Sequence, residues 1–127
     1  MRSYSETNVF SSSEVEALQR ATRLVVAIPT RIGGPLLRCH EVARVVGRIL
    51  DLDVQDGHYG AVEHSWVYTE NARSILDVYA VGRLPMVQLV DARALLPTGR
   101  AYYPGPTRDD IDETAVRELV QFLRRRL

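Results

Sequence analysis

The chain has 127 residues, of which 46% are hydrophobic and 25% charged, and its 16 basic and 16 acidic side chains give a formal net charge of zero. This length fits one domain with a substantial core, and the apolar content argues against a disordered chain. Zero net charge argues against a protein that coats nucleic acid or an anionic membrane, since both need clustered positive charge. All the basic residues are arginine, which excludes a lysine Schiff base and a P-loop lysine.

Cys39 is the single cysteine, so the chain can form no intramolecular disulfide and has no CxxC zinc or redox pair. Its apolar runs are far shorter than the ~20 residues of a membrane span. Residues 1–13 are polar and lack the apolar region of a signal peptide. We therefore expect a cytoplasmic protein without membrane or nucleic-acid partners, with an N-terminal tail over residues 1–12 and a single domain over residues 13–127.

Helical periodicity marks three segments of the chain. Ser11 with Glu14, and Ser13 with Glu16, have the spacing of a capping box just before the first segment. The second segment follows a turn cluster at 30–35, and it places Cys39 near the N-terminus of a helix with its side chain directed inward. The predicted helices cover residues 13–27 and 35–50, and a last one begins near 107–110.

Alternating apolar and polar residues predict an antiparallel sheet of three or four strands between the second and third helices. The predicted strands are 62–68, 74–80 and 86–90, with a hairpin loop at 69–73 and a further strand at 52–59 that the Asp56-Gly57 turn signal interrupts. Residues 92–110 are rich in proline and glycine and are predicted to form a long loop. The order of elements indicates an α+β domain with helices packed on an antiparallel sheet.

The candidate chemistry starts with Cys39. A thiol near a helix N-terminus faces amide N–H groups and the positive end of the helix dipole, and both lower its pKa. The same amides can donate to the oxyanion that forms when sulfur attacks a carbonyl group. The alternative interpretation of a lone cysteine is a small buried hydrophobic side chain.

His64 and Asp77 are polar residues placed in otherwise apolar strands. Each is costly to bury without a partner. An antiparallel pairing around the loop near 69–73 puts them on the same face, opposite or diagonal to one another. An aspartate that holds an imidazole, and an imidazole that faces a thiol, form a nucleophile, a base and an orienting group. A structural buried hydrogen bond between them is the alternative.

In order and spacing, these residues resemble the transglutaminase-like branch of the papain-like cysteine protease superfamily. The matching motifs are Cys39 in Leu-Arg-Cys-His-Glu, His64 and Trp66 in Glu-His-Ser-Trp, and Asp77 in Ile-Leu-Asp-Val-Tyr, within residues 30–90. The resemblance implies a papain-like or transglutaminase-like core and a Cys-His-Asp triad. In that triad Cys39 is the nucleophile, His64 the general base and then acid, and Asp77 the group that orients the imidazole. It further implies acyl transfer through a thioester, on a peptide, protein or small amide substrate, without cofactor or metal.

The sequence departs from that family at two points. Many members have glycine immediately before the cysteine, where this chain has Arg38, and no glutamine stands where papain-like proteases place an oxyanion-hole donor. The Cys39 backbone amide is therefore the best candidate for the first oxyanion donor, and the second is unassigned. Because the chain is short for a calcium-regulated cross-linking enzyme, we expect a small hydrolase, amidase or peptidase-like enzyme.

Several other residues are assigned from their positions. Trp66, Tyr102 and Tyr103 are predicted to contact substrate; the alternatives are a position in the core for Trp66 and a surface turn for the two tyrosines. His40 follows the cysteine and is expected to point about 100° away from it on a helix. The remaining titratable neighbours, Glu41, His58 and Glu63, are expected to face solvent.

Two alternatives to an enzyme stay open. Cys39, His40, Asp56, His58, His64 and Asp77 include enough ligand types for zinc, although their spacing matches no known zinc pattern. The other alternative is a binding or accessory domain that keeps the fold and has lost activity.

Overall fold

The computed structural model describes residues 10–28, 37–70, 74–78, 87–91 and 102–126. Three helices and five strands lie in this part of the chain. They are α1 (Ser12–Ala27), α2 (Cys39–Leu50), β1 (Val54–Tyr59), β2 (Val62–Tyr68), β3 (Ser74–Asp77), β4 (Gln88–Asp91), β5 (Tyr102–Pro104) and α3 (Glu113–Arg124). The strands form one antiparallel sheet in the order β4-β3-β2-β1-β5. The predicted α+β class is thereby confirmed, with five strands in place of three or four.

The first helix begins with the predicted capping box. The backbone N–H of Glu14 donates to Ser11 Oγ at 3.2 Å, and the Ser11 N–H donates to the Glu14 carboxylate at 2.8 Å. These two bonds satisfy amide groups that have no acceptor inside the helix. The Glu14 carboxylate is buried and also accepts hydrogen bonds from the hydroxyls of Thr69 and Ser74, so it ties α1 to the sheet.

The other two helices begin later than their periodicity predicts. The second begins at Cys39, with Arg38 as its N-cap in an extended conformation, and the third begins at Glu113. The Asp112 side chain accepts the Ala115 N–H at 3.0 Å and fixes the start of α3. In α3 this capping side chain, and not the apolar stripe, sets where the helix starts.

The predicted interruption of β1 at Asp56-Gly57 is wrong, because the strand pairs with β2 without a break. A side chain at Gly57 would overlap the carbonyl oxygen of Tyr103, so the glycine allows β5 to pair closely with β1. The β1–β2 turn is made instead at Gly60, whose φ of 62° is in the left-handed region that favours glycine.

The prediction of an unbroken loop over 92–110 is also wrong, since Tyr102–Pro104 forms the edge strand β5. A three-residue strand that ends in proline leaves almost no alternation to detect, and proline is tolerated at a sheet edge. Several predicted features fall outside the described residues. They are residues 1–9 of the tail, the turn cluster at 30–35, the loop residues 71–73, the strand residues 79–80 and 86, and residues 92–101 of the long loop.

The two faces of the sheet carry different layers. The helices cover one face, where Val67 and Leu76 join the main core, and the other face carries an aromatic cluster around Trp66 and Tyr102. Successive side chains of a strand point to opposite faces. The neighbours His64 and Ser65 on β2 therefore point to the aromatic face and the helix face, respectively.

In the part of the chain that the structure describes, no helix has the length and apolar character that a membrane crossing requires.

Candidate active site

Cys39 is the first residue of α2 and is half-buried. Its sulfur contacts the His40 ring, with 3.6 Å between Sγ and Nδ1 and 4.0 Å between Sγ and Nε2. His64 also lowers the pKa of the Cys39 thiol, and Cys39 in turn raises the pKa of His64. The thiol thus contacts one imidazole, is influenced electrostatically by a second, and keeps partial contact with solvent.

Arg38, which stands where many members of the resembled family have glycine, anchors this helix end. Its guanidinium donates to the Glu41 carboxylate and to both the backbone carbonyl and the carboxylate of Asp110. Glu41 also accepts the Asp112 N–H at 3.2 Å and is only 3% exposed, so the expectation that it faces solvent is wrong. Glu41 links the start of α2 to the start of α3, and the structure holds its charge through an arginine and a backbone amide.

His64 and Asp77 form a buried pair on the aromatic face. The Nε2 atom of His64 lies 3.0 Å from both carboxylate oxygens of Asp77, and each residue is 1% exposed. Because β2 and β3 pair with Val67 opposite Leu76, continuing the register puts Asp77 diagonal to His64 on one face. The predicted proximity of these two residues is observed.

Tyr102 on β5 completes this cluster. Its hydroxyl donates to Asp77 Oδ2 at 2.6 Å, and the residue is 7% exposed. Burial, followed by the adjacent carboxylate of Asp77, raises the pKa of the Tyr102 hydroxyl, so it stays a donor. Hydrogen bonds from an imidazole and a phenol therefore hold the Asp77 carboxylate.

The residues predicted to contact substrate have different surroundings. Trp66 is fully buried, with its ring centroid 5.1 Å from that of Tyr102 and 6.2 Å from that of His64. It covers the His64–Asp77 pair on the aromatic face, and its Nε1 is the one buried side-chain nitrogen or oxygen without a hydrogen-bond partner among the described residues. Tyr103 is 49% exposed and pairs with the exposed His58. A substrate role for these three residues stays a prediction.

The contact between His40 and the sulfur was not predicted from the sequence. The His40 ring was expected to point away, but it is 5% exposed and its Nδ1 lies 2.6 Å from Ser65 Oγ. Ser65 on the helix face of β2 draws the ring alongside the thiol. The one signal in the sequence was the polar Ser65 within a strand of buried residues.

Behind Ser65 lies a second buried carboxylate. The Ser65 hydroxyl donates to Asp56 Oδ1 at 2.6 Å, and Arg44 donates to both Asp56 oxygens at 3.0 and 2.6 Å. The Arg108 backbone N–H also donates to Asp56 at 2.8 Å. Burial favours the neutral form of Asp56, but the hydrogen bonds from Arg44, Ser65 and Arg108 outweigh it and lower its pKa to about 2.

The electrostatics of the site favour an ion pair between sulfur and imidazole. Burial opposes ionisation of the thiol, but hydrogen bonds and charges from His40 and His64 lower the pKa of Cys39 to about 6. Burial also opposes protonation of His64, but hydrogen bonds and charges from Asp77 and Cys39 raise its pKa to about 9. At a pH between these two pKa values, the shifts favour a thiolate on Cys39 and an imidazolium on His64.

The ligand types named for a zinc site do not gather into one. Within residues 10–28, 37–70, 74–78, 87–91 and 102–126, no group of three or more His, Cys, Asp and Glu side chains is arranged to hold a metal ion. His58 is exposed on β1, as expected from the sequence, and Glu63 is exposed beside Arg108.

Comparison of the chain with protein-family models, with curated proteins and with solved structures finds no significant match.

Proposed function

We propose that the protein is a small cysteine hydrolase or acyltransferase that acts on an amide or peptide-like bond. The observation that carries the proposal is a half-buried thiol at a helix N-terminus, whose pKa is lowered by His40 and by the buried His64, together with the buried carboxylate that holds Nε2 of His64. A nucleophile, a base and an orienting group in this order are the parts that covalent acyl transfer requires. The resemblance to transglutaminase-like proteins points to the same chemistry.

The first half of the reaction forms a thioester. The Cys39 thiolate attacks the carbonyl carbon of the substrate, and the carbonyl electron pair moves to oxygen. As the tetrahedral intermediate collapses, the carbon–nitrogen bond breaks and the leaving amine takes the proton of His64 Nδ1. Asp77 supports this transfer by holding Nε2, so that Nδ1 is the nitrogen left for the sulfur and the substrate.

The second half releases the acyl group. Neutral His64 accepts a proton from water, and the resulting hydroxide attacks the thioester carbon and expels the Cys39 thiolate with a carboxylic acid as product. An amine or hydroxyl acceptor in place of water gives acyl transfer by the same steps. The first amides of α2, beginning with that of Cys39, have no acceptor within the helix and can donate to the oxyanion.

The substrate class follows from this chemistry as a peptide, a protein or a small amide. The steps use side chains of the chain itself and need neither metal nor cofactor. A reactive free thiol persists in a reducing compartment, which favours a cytoplasmic location for the protein.

The test uses p-nitrophenyl acetate, an activated acyl donor that needs no specific binding pocket. We expect a rapid release of nitrophenol stoichiometric with protein, together with a mass gain of one acetyl group on Cys39. Cys39→Ala should abolish both signals, and His58→Gln, at an exposed histidine, should leave both intact. A Cys39→Ala variant with an undiminished burst would contradict the proposal, because another group would then be the nucleophile. A wild-type protein whose cysteine is never acylated would also contradict it and would favour an inactive binding domain.

A further inference from the structure

The sulfur of Cys39 contacts a second imidazole that the Cys-His-Asp mechanism does not use. His40 approaches it from the helix face of the sheet, with Nδ1 3.6 Å and Nε2 4.0 Å from Sγ. His64, which lies on the aromatic face, also lowers the pKa of the thiol. The two rings belong to separate hydrogen-bond networks. His40 is connected through Ser65 to Asp56, and His64 is bonded directly to Asp77.

The hydrogen bonds that run from His40 through Ser65 to Asp56 determine which nitrogen of the His40 ring carries a hydrogen. Asp56 is ionised above about pH 2 and accepts bonds only, so the Ser65 hydroxyl hydrogen points to Asp56. The Ser65 oxygen is then free only to accept, and His40 Nδ1 must be the donor across their 2.6 Å contact. The same Nδ1 atom also lies beside the sulfur. The other nitrogen of the ring, Nε2, can accept the proton of the thiol when the ring is neutral, and it can donate to the thiolate when the ring is protonated.

We propose that His40, held by Ser65 and Asp56, is a second imidazole partner of Cys39 that stabilises its thiolate alongside His64. The inference rests on the proposed thiol function and assigns the two rings different tasks. His64 delivers the proton to the leaving group, because the Asp77 carboxylate contacts its ring directly and stabilises the imidazolium. His40 stabilises the ionised sulfur before it attacks the substrate, and it stabilises the thiolate again when hydrolysis of the thioester releases it.

The pH dependence of the thiolate can be assigned to these two rings, because the other charged neighbours hold their charge. Burial favours neutral Glu41, but hydrogen bonds from Arg38 and from the Asp112 amide outweigh it and lower the pKa of Glu41. Asp56 likewise stays ionised, and arginines remain protonated throughout. The charged and titratable groups around the sulfur and its two imidazoles include Arg38 just before α2, Glu41 and Arg44 on α2, Asp56 and Tyr59 on β1, Asp77 on β3 and Tyr102 on β5.

The experiment measures the rate of Cys39 alkylation by iodoacetamide against pH in the full chain. Relative to wild type, His40→Gln should move the midpoint of the profile up by about one pH unit, since a hydrogen bond to a charged group is lost. Ser65→Ala should move it in the same direction by less, because the ring remains but loses its anchor. His58→Gln, the matched control at an exposed histidine, should leave the midpoint unchanged.

Thermal unfolding followed by circular dichroism establishes that each variant is folded. If His40→Gln does not fold, Ser65→Ala decides the matter, because alanine fits the volume of a fully buried serine that does not touch the sulfur. Unchanged midpoints in the folded variants would overturn the role of His40, and a shift in His64→Gln alone would leave the proposed function standing. A wild-type midpoint equal to that of an ordinary thiol would overturn both, because no stabilised thiolate would exist.

Discussion

At the scale of single residues, the charge on His64 depends on Asp77. Both carboxylate oxygens lie 3.0 Å from Nε2, in a site where the imidazole and the carboxylate are each almost fully shielded from water. Low local polarity strengthens their attraction and makes an unpaired member of the pair costly. The raised pKa of His64 therefore comes from its neighbours, Asp77 first and Cys39 second, and not from the ring itself.

Asp77→Asn should lower the pKa of His64 from about 9 toward the ordinary value of 6.5, because an amide supplies no negative charge. The measurement is an NMR titration of the histidine ring signals, with the exposed His58 as the internal control. The loss of the imidazolium at neutral pH should also slow the release of leaving groups that need protonation. An unchanged His64 titration in the folded variant would show that Asp77 does not set its charge.

At the scale of secondary-structure elements, Asp56 connects four parts of the fold. It accepts hydrogen bonds from Arg44 on α2, from Ser65 on β2 and from the backbone of Arg108 ahead of α3, while belonging itself to β1. Its lowered pKa stabilises the folded state above the ordinary aspartate pKa of 3.8, and this contribution disappears as the pH falls through about 2.

Asp56→Asn should lower the free energy of unfolding at pH 7 by about 3 kcal/mol, because Arg44 is left partly buried without its counter-charge. Urea unfolding at several pH values measures the effect. The gap between wild type and variant should persist down to about pH 4 and close as the pH approaches 2. Asp109→Asn, at an exposed position, is the control and should change stability by less than about 0.5 kcal/mol. A constant gap across the whole pH range would contradict the assignment.

The elements also show what the sequence could predict of the fold and the site. Strong periodicity located the helices, and the polar residues His64 and Asp77 stood out because they interrupt apolar strands. The contact of His40 with the sulfur depends on how α2 crosses β2, which no local pattern encodes. The strand that carries Tyr102 is too short, and too rich in proline around it, to show alternation.

At the scale of the whole molecule, the reactivity of Cys39 is a product of folding. His40 on α2 contacts the sulfur and is held by Ser65 on the helix face of β2. The adjacent β2 residue, His64, points to the other face of the sheet and also lowers the pKa of the thiol. In the unfolded chain only the neighbouring His40 stays close, and the thiol should titrate as an ordinary cysteine.

The most direct measurement is therefore the pH profile of Cys39 alkylation by iodoacetamide, in the folded protein and in the same protein unfolded in urea. The account predicts a midpoint near pH 6 for the folded chain and one near the ordinary thiol value of about 8.5 for the unfolded chain. Coincident profiles, with both midpoints at the ordinary value, would contradict it, because the fold would then contribute nothing to the ionisation of the sulfur.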